Sequence, residues 1–269
     1  MRRRATALLL GIATIAAAAA GGPPLAAAQP PVGIVRPDSE AQLSQRELGA
    51  ELFAANCASC HGGDGRGITA PDGPNQAGNI EGMGPPLRGV GALAADFYLR
   101  TGYMPLAKTD EQPTRSRPLL HDKEIRALVD YVASLDGGPP IPRPHPERGD
   151  IAEGVKLFTE HCAGCHQMVG QGGVVTGAKV PPLEDATATQ VAQAVRIGPY
   201  LMPKFSQRQI SDRELDSIVR YVLSTKHPPD RGGWGIGNLG PFPEGIVTWL
   251  LAAVVLVVTC MIIGERLRR

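Results

Sequence analysis

Two thiols and an imidazole lie within five residues of each other in the segment Cys57-Ala58-Ser59-Cys60-His61. Cysteine and histidine side chains at this density bind a zinc ion, form a disulfide or dithiol pair, or attach a haem. The order C-x-x-C-H is the attachment pattern of c-type haem. Both cysteine sulfurs bond to the porphyrin, and the histidine that follows becomes the proximal ligand of the iron. The motif therefore favours haem.

The pattern recurs as Cys162-Ala163-Gly164-Cys165-His166, so the two copies contain four of the five cysteines in the 269-residue chain. Each copy predicts one covalently bound haem c, and the chain is therefore expected to carry two. The predicted attachment residues are Cys57, Cys60, Cys162 and Cys165, and the predicted proximal iron ligands are His61 and His166.

The surroundings of the two motifs are duplicated as well. Gly49-x-x-Leu52-Phe53-x-x-x-Cys57 matches Gly154-x-x-Leu157-Phe158-x-x-x-Cys162 at an offset of 105 residues without a gap. Each motif is then followed, in the same order, by Pro-Pro-Leu, by an Arg-x-Gly segment that leads to Met-Pro, and by an apolar-periodic segment. Self-similarity of this extent indicates an internal duplication.

Zinc binding and thioredoxin-like chemistry are the alternatives to haem. A single four-cysteine zinc site would not require each Cys pair to be followed by His within a complete repeated unit. Thioredoxin-like chemistry requires a strand–helix context, which the sequence around the motifs does not show. Both alternatives are therefore disfavoured.

Helical periodicity is clearest at the end of each repeat, and no run alternates with the period of a strand. We therefore predict an all-α pair of domains. Each domain is small, and the whole chain has only 5 Phe and 2 Trp, so a buried haem would supply apolar mass that the side chains lack. The residues of the two helical stripes are Ile125, Leu128, Val129, Val132 and Leu135 in the first repeat, and Leu215, Ile218, Val219 and Val222 in the second.

The sixth ligand of the iron decides the chemistry, because a haem with two protein ligands transfers electrons, whereas one with an open site binds gases or peroxide. Met104 and Met202 occupy the same place in the two repeats, and Pro follows both. They are the predicted sixth ligands; the alternative is that both methionines are ordinary core residues. Thioether ligation would raise the reduction potential. Met83 and His145 have no counterpart in the other repeat, and His121 aligns with Ser211. Met168 lies two residues past the attachment histidine, which predicts that it is on the wrong face.

Two further pairs of residues could support the haems. A ligating histidine usually donates its other N–H to an acceptor, and the carbonyls of Pro85 and Pro181 are candidates, unless these prolines only form a turn. Arg100 and Arg196 could pair with haem propionates, or could be solvated.

Net charge and composition exclude one class of partner. The formal net charge is +1, and no basic patch is interleaved with aromatic residues, so nucleic acid is not an expected partner.

The two ends of the chain predict export and a membrane anchor. Three arginines, an apolar run and a small-residue stretch ending near Ala28 are typical of a secretory signal, with cleavage preferred over an uncleaved signal anchor at Ala5–Ala20. The apolar segment 245–264 has the length of a bilayer-spanning helix, with Trp249 near its start. Three arginines follow in 265–269, so the C-terminus is expected in the cytoplasm and the haem domains outside. Cys260 lies within this span, where it is expected to act as a small apolar residue.

These observations give a complete domain prediction. Proline and glycine clusters mark the linkers, and a Gly-rich insertion, Asp64–Gly84, is expected only in the first repeat. The predicted segments are 1–28 signal peptide or anchor, 43–136 first haem domain, 137–148 Pro-rich linker, 149–227 second haem domain, 228–244 Gly/Pro tether, 245–264 transmembrane helix and 265–269 cytoplasmic tail.

The arrangement resembles the dihaem cytochrome c subunit of the actinobacterial menaquinol–cytochrome c reductase over nearly the full chain. The segments that carry the resemblance are "CASCHG", "RTGYMP", "CAGCH", "MPKFSQRQI" and "GGWGIGNLGPFPEGIVTW". The resemblance implies two tandem class I cytochrome c domains and one C-terminal transmembrane helix.

The resemblance also implies partners: a cytochrome b subunit, a Rieske iron–sulfur subunit and a haem–copper terminal oxidase in the cell membrane. The first haem would take single electrons from the Rieske centre, and the second would pass them to the oxidase. No independent catalytic site is expected in the chain. The alternative function is a membrane-anchored dihaem cytochrome that accepts electrons from an extracytoplasmic dehydrogenase.

Overall fold

The computed structural model describes residues 33–68, 84–108, 111–226 and 241–268. The predicted signal segment 1–28 lies outside the described residues, as do most of the tether and most of the Gly-rich insertion. The described residues form two helical units, followed by a long C-terminal helix.

The two units contain the same four helices in the same order, so the predicted all-helical architecture is confirmed. A single 3₁₀ turn precedes each set, at Glu40–Gln42 and at Pro146–Arg148. The helices of the first unit are α1 Gln45–Asn56, α2 Ala58–His61, α3 Gly91–Arg100 and α4 Asp122–Asp136. Those of the second unit are α5 Ile151–His161, α6 Ala163–His166, α7 Ala188–Ile197 and α8 Asp212–Lys226.

A β-hairpin is the one strand element among the described residues that the sequence did not predict. Strands β1 Gly173–Val175 and β2 Ala178–Val180 pair antiparallel in the second unit. Each strand has three residues, which is too short for an alternating apolar pattern to be recognised.

Capping residues fix where the helices begin. At α1, the Ser44 hydroxyl accepts a hydrogen bond from the Glu47 amide, and the Glu47 carboxylate accepts one from the Ser44 amide. Ser211 and Glu214 form the same reciprocal pair at α8. Each pair satisfies two backbone donors that a helix start would otherwise leave unpaired.

The first and last helices of each unit cross at a glycine. A Cβ built on Gly49 of α1 would lie 2.1 Å from the carbonyl oxygen of Ala127, and one on Gly154 of α5 would lie 2.1 Å from that of Ser217. Only glycine permits this approach of two helix backbones. The crossing explains why glycine stands at the same position of both repeats.

An aromatic pair packs beside each crossing. Phe53 contacts Tyr131 and Phe158 contacts Tyr221, with ring centroids 5.2 Å apart in both pairs. Both phenylalanines are almost fully buried. They close the two cores at the end next to the Cys-x-x-Cys-His turns.

The proline-rich segment between the units is attached to both of them. Its Pro139 carbonyl accepts a hydrogen bond from the Leu93 amide of α3 at 3.1 Å. The His145 amide donates to the Asp216 carboxylate of α8 at 2.6 Å, and Ile141 packs against the first core. The segment is therefore anchored at both ends.

Helix α9, Pro241–Leu267, is apolar over most of its length. Its most apolar 18-residue window is 0% buried, and among the described residues it is the one helix with the length and composition of a membrane span. Its 27 residues extend about 40 Å at 1.5 Å per residue, enough to cross a hydrocarbon core of about 30 Å. The hydroxyls of Thr248 and Thr259 bond to carbonyls one turn earlier, which satisfies them without water.

We predict that Gly49→Ala and Gly154→Ala each lower the free energy of unfolding by about 1–3 kcal/mol, because the added methyl group overlaps a backbone carbonyl at the helix crossing. Thermal unfolding of the haem-loaded protein measures this. Gly63→Ala is the control, since a Cβ there meets nothing within 4 Å. Equal effects at Gly49 and Gly63 would contradict the role of the crossing.

Candidate functional site: two haem cavities

The Cys-x-x-Cys-His segment of each unit is a short helical turn fused to the end of the preceding helix. The Cys57 amide donates to the Phe53 carbonyl at 2.8 Å, and the His61 amide donates to the Cys57 carbonyl at 2.9 Å. The second motif repeats both bonds at the same distances, from Cys162 and from His166. This turn places the two cysteines and the histidine on one side of the chain.

In the first unit, this side faces an apolar cavity of about 310 Å³. Cys57 and His61 lie at one wall, Met104 at another, and α3 and α4 supply apolar side chains between them. Cys60 is half-buried at the edge and is not among the lining residues. An apolar cavity with a few convergent polar or soft ligands suits a flat, mostly apolar macrocycle such as haem.

In the second unit, the corresponding space is divided into two cavities of about 130 Å³ and 60 Å³. Cys162, His166 and Met202 line both of them, and Cys165 lines the larger. The residues predicted from the sequence as attachment sites and ligands of the second haem therefore surround one region.

Each motif histidine is fixed by a proline carbonyl. His61 Nδ1 lies 2.8 Å from the carbonyl oxygen of Pro85, and His166 Nδ1 lies 3.2 Å from that of Pro181. A carbonyl only accepts, so Nδ1 must carry the proton, and Nε2 keeps its lone pair for a metal. The predicted hydrogen bonds from these two histidines are confirmed.

Burial controls the ionisation of the site residues. It lowers the pKa of His61 and of His166, although the bond to the proline carbonyl partly offsets this. The imidazoles therefore stay neutral, as iron ligation requires. Burial, with a smaller contribution from the neighbouring thiol, raises the pKa of Cys57 and of Cys162 to about 11, so both are thiols rather than thiolates in the unmodified chain.

Met104 and Met202 are the only methionines of the described residues that line these cavities with the motif histidines. Met168 is 48% exposed and lies outside all three cavities. His121 and His145 are exposed and also lie outside them, and Met83 lies outside the described residues. The geometry thus supports the two methionines that the repeat predicted, whose ligation remains a prediction.

The loops that follow the motifs are duplicated beyond what the sequence analysis recognised. Gly65 and Gly170 have φ of 71° and 73°, and Gly67 and Gly172 have φ of 81° and 72°, each pair at the offset of 105 residues. The expected insertion Asp64–Gly84 is therefore set too early, because its start through Gly67 has a counterpart. The antiparallel bridge between Ile68 and Gly84 also matches the Gly173–Val180 pair of the β-hairpin, so the extra residues lie between Ile68 and Gly84.

These glycine loops bring the proline segment to the histidine. The Leu87 amide donates to the Gly65 carbonyl at 2.8 Å, and the Leu183 amide donates to the Gly170 carbonyl at 2.7 Å. Positive φ at these positions is favourable only for glycine. The histidine–carbonyl bond is a consequence of this loop geometry.

Arg100 and Arg196 are engaged by carboxylates of the protein. Arg100 donates to Asp122 at 2.7 Å and Arg196 donates to Asp212 at 2.7 Å, both at the first residue of the unit's last helix. These arginines therefore bridge two helices of their unit, and their pairing with haem propionates stays a prediction.

Several lining residues were not identified from the sequence. Ala94 and Tyr98 of α3, with Val90 just before the helix, form one wall of the first cavity. The small residues of α3, in "GALAA", could have indicated that another group lies close to the backbone of this helix. Ile197 and Tyr200 of the second unit also line this cavity. No signal within the first repeat could have indicated residues that come from the other unit.

Comparison with protein families agrees with this geometry. Residues 46–136 match the family model described as cytochrome c, and residues 149–222 match the model described as cytochrome c oxidase, cbb3-type, subunit III. The predicted fold class, two cytochrome c domains with a C-terminal candidate transmembrane helix, is thereby confirmed.

Similar proteins cover nearly the whole chain. The cytochrome bc1 complex cytochrome c subunit of Corynebacterium diphtheriae is 33% identical over an alignment of 259 positions that covers 87% of this chain and 88% of that protein. Its Mycobacterium tuberculosis counterpart is 35% identical over 247 residues, 88% of this chain and 82% of that protein. The cbb3-type cytochrome c oxidase subunit CcoP of Azospirillum is 29% identical over 65% of this chain and 60% of its own length. A solved thiosulfate dehydrogenase from Marichromatium purpuratum covers 72% of this chain and 49% of its own, with 18% identity and a TM-score of 0.26, too low to bear on the fold.

We predict that Gly67→Ala disturbs the first haem site more than Gly89→Ala does. Both glycines have positive φ, so both alanines are strained by about 1–2 kcal/mol. Only at Gly67 would the methyl group also meet backbone, 2.8 Å from the Pro86 nitrogen. The visible absorption spectrum and thermal unfolding of the haem-loaded protein measure the difference. Indistinguishable variants would show that the loop does not position His61.

Proposed function

The chain belongs to the family of cytochrome bc1 complex cytochrome c subunits, and from this we propose that it relays single electrons between two covalently bound haems and its partners in the respiratory chain. Membership of the family establishes a membrane-associated cytochrome c with an electron-transfer role. The number of haems, their ligands and the named partners are proposals.

One observation carries the proposal. In each unit, the structure gathers around one region a motif cysteine, a neutral histidine fixed by a proline carbonyl, and a methionine. Haem c held there would supply a one-electron couple at iron. Cys57 and Cys60, and Cys162 and Cys165, would hold the two groups covalently. The histidine Nε2 atoms and the methionine sulfur atoms would hold the iron.

The protein's own contribution is position and exclusion of water. The helix crossing at Gly49 or Gly154 and the apolar lining form a compact shell around each site. Such a shell keeps solvent from the iron and favours the reduced, less charged state. Methionine as sixth ligand raises the potential further, which suits the oxidising end of an electron-transfer chain.

We propose that the first domain receives electrons from a Rieske iron–sulfur subunit and that the second passes them to a haem–copper terminal oxidase. The similarity to bc1 complex subunits supports a cytochrome b and Rieske partner. The match of the second domain to a cbb3-type oxidase subunit supports an oxidase partner for that domain. The duplication would make a separate soluble carrier unnecessary.

Partner identification tests this assignment. After purification of the full chain from its own membranes in mild detergent, the co-purifying subunits are expected to include a cytochrome b, a Rieske protein and oxidase subunits. Recovery with an extracytoplasmic dehydrogenase, and without cytochrome b and Rieske protein, would overturn it.

We predict that Met104→Ala and Met202→Ala each change the ligand-field spectrum of one haem and lower its reduction potential by on the order of 0.1 V, a fraction of the ~0.8 V that axial ligands span. Met168→Ala is the matched control, because Met168 is exposed and lies outside the cavities. An unchanged spectrum in either cavity variant would mean that its methionine is not an iron ligand.

We also propose that α9 spans the membrane with the haem domains outside and 265–269 in the cytoplasm, because Arg266, Arg268 and Arg269 follow the apolar segment 245–264. A reporter that is active only in the cytoplasm is expected to be active when fused after Arg269, and inactive when fused after Lys226. The reverse pattern would contradict this orientation.

A further inference from the structure

Residues 34–36, termed the arm, precede α1 and bind the first haem domain at two points. One point is Asn56, the last residue of α1 and the neighbour of the attachment residue Cys57. Asn56 Oδ1 accepts a hydrogen bond from the Val35 amide at 2.8 Å, and Asn56 Nδ2 donates to the Val35 carbonyl at 2.8 Å. Asn56 Nδ2 also donates to the Leu52 carbonyl at 2.9 Å. The Asn56 side chain therefore connects the arm to the end of α1 that leads into Cys57.

The other point is Glu124 in the first turn of α4. The Glu124 side chain is 0% exposed, and Arg36 donates to both of its carboxylate oxygens, from Nε at 2.6 Å and from Nη2 at 3.1 Å. Burial raises the pKa of Glu124, but the hydrogen bonds from Arg36 and from the His121 amide lower it further, so the carboxylate is charged at neutral pH. A buried carboxylate without its cation is costly, so this pair holds the arm in place. Ile34 packs against the first core beside it.

The second domain satisfies the equivalent carboxylate from within its own helix start. Glu214 corresponds to Glu124, and it accepts hydrogen bonds from the Ser211 amide at 2.7 Å and from the Ser211 hydroxyl at 2.8 Å. The first repeat has His121 in place of Ser211. Arg36 of the arm thus supplies the side-chain donor that Ser211 supplies in the second domain.

The residue before the first motif cysteine is also held differently in the two domains. The second domain has His161 there, and its ring packs against Phe205, three residues after Met202, with ring centroids 5.7 Å apart. The loop that leads to Met202, "RIGPYLMP", is two residues longer than the "RTGYMP" loop of the first repeat. The residue three positions after Met104 is Ala107, which is exposed and has no ring to offer Asn56. The methionine segment therefore braces the second motif, and the arm braces the first.

We propose that the arm is part of the first haem site, in which Arg36 and Asn56 are positioning residues. Arg36 holds the arm to α4, and the arm fixes, through Asn56, the turn that carries Cys57. The inference rests on the proposed function in taking the first cavity as a haem site. Release of the arm would let water approach the first haem and lower its reduction potential, because water stabilises the more charged, oxidised state. A segment ahead of the repeated unit thus tunes one haem and not the other.

Arg36→Gln tests the attachment to α4, because it removes the cation and the paired donors from Glu124. In the full-length, haem-loaded protein, the Val35 amide is expected to exchange with solvent at least fivefold faster. The Cys162 amide, bonded to the Phe158 carbonyl in the second domain, is expected to keep its rate.

A redox titration of the same variant gives the second readout. At the ambient potential where the first haem of the wild type is half reduced, its ratio of oxidised to reduced form is expected to rise at least threefold. The second haem is expected to keep its wild-type ratio. A full-length Cys162→Ala/Cys165→Ala variant, which retains only the first pair of attachment cysteines, identifies the signal of the first haem.

Arg46→Gln is the matched control. Arg46 Nη2 donates to Asp130 Oδ1 at 3.1 Å, and this pair also joins α1 to α4, but both side chains are partly exposed and neither contacts the arm. The same substitution there is expected to leave Val35 exchange and the first-haem ratio at their wild-type values.

Asn56→Ala tests the other attachment point without a change in charge. It leaves the Arg36–Glu124 pair in place, and it is expected to accelerate Val35 exchange and to raise the first-haem ratio to a similar extent. This variant also keeps the test decisive if Arg36→Gln does not fold. A raised ratio in Arg36→Gln and not in Asn56→Ala would overturn the proposal, because it would show an effect of charge rather than of the position of the arm.

Three other results would overturn the proposal. They are Val35 exchange within twofold of the wild type in the folded variants, an unchanged first-haem ratio in variants whose Val35 amide is released, and an equal rise of the ratio at both haems. Failure of the proposed function is distinguished by the intact mass of the wild-type chain, which would then lack a covalently bound haem.

Discussion

The geometry of each haem site depends on one hydrogen bond, from the motif histidine to a proline carbonyl. It fixes the proton on Nδ1 and leaves Nε2 free to bind iron. The bond forms because the glycine loop after the motif returns the chain to the Pro-Pro-Leu segment. Gly67 donates its amide to the His61 carbonyl at 2.8 Å, and Gly172 does the same for His166 at 3.1 Å. Positive φ at glycine is thus connected directly to ligand orientation.

The duplication explains why so much of the site could be predicted from the sequence. Two copies with the same order of motifs distinguish residues that recur in both repeats from residues that merely occur near the site in one of them. Met104 was preferred over Met83 and His145 on this ground, and the cavities contain Met104 and Met202. The same comparison indicated the proline carbonyls, which the structure confirms as histidine partners.

Features that differ between the copies were harder to predict. The β-hairpin at 173–180 replaces the longer segment of the first unit, and its strands are too short to leave a pattern. The start of the insertion was misplaced because the residues that follow the motif histidine differ in type between the repeats. The equivalence becomes clear only from the backbone, since Gly65 and Gly67 match Gly170 and Gly172 in φ. Contacts between the domains could not be predicted at all, since they depend on how two surfaces meet rather than on a local pattern.

Divergence after duplication has thus produced an asymmetric pair from two similar units. Tyr200 of the longer methionine loop lines the first cavity, and Tyr103, Gln112 and Pro113 of the first unit line the larger cavity of the second. The candidate membrane helix α9 follows the second unit. Such an arrangement suits the proposed relay, because a carrier anchored to the membrane cannot diffuse away from its partners.

The most direct test of the account is the intact mass of the purified chain after denaturation, which reports covalently bound groups alone. Two covalently bound haems predict a mass that exceeds that of the polypeptide by two haem groups. The excess is expected to fall to one haem group in a Cys57→Ala/Cys60→Ala variant and in a Cys162→Ala/Cys165→Ala variant. A wild-type chain that carries one haem or none would contradict it.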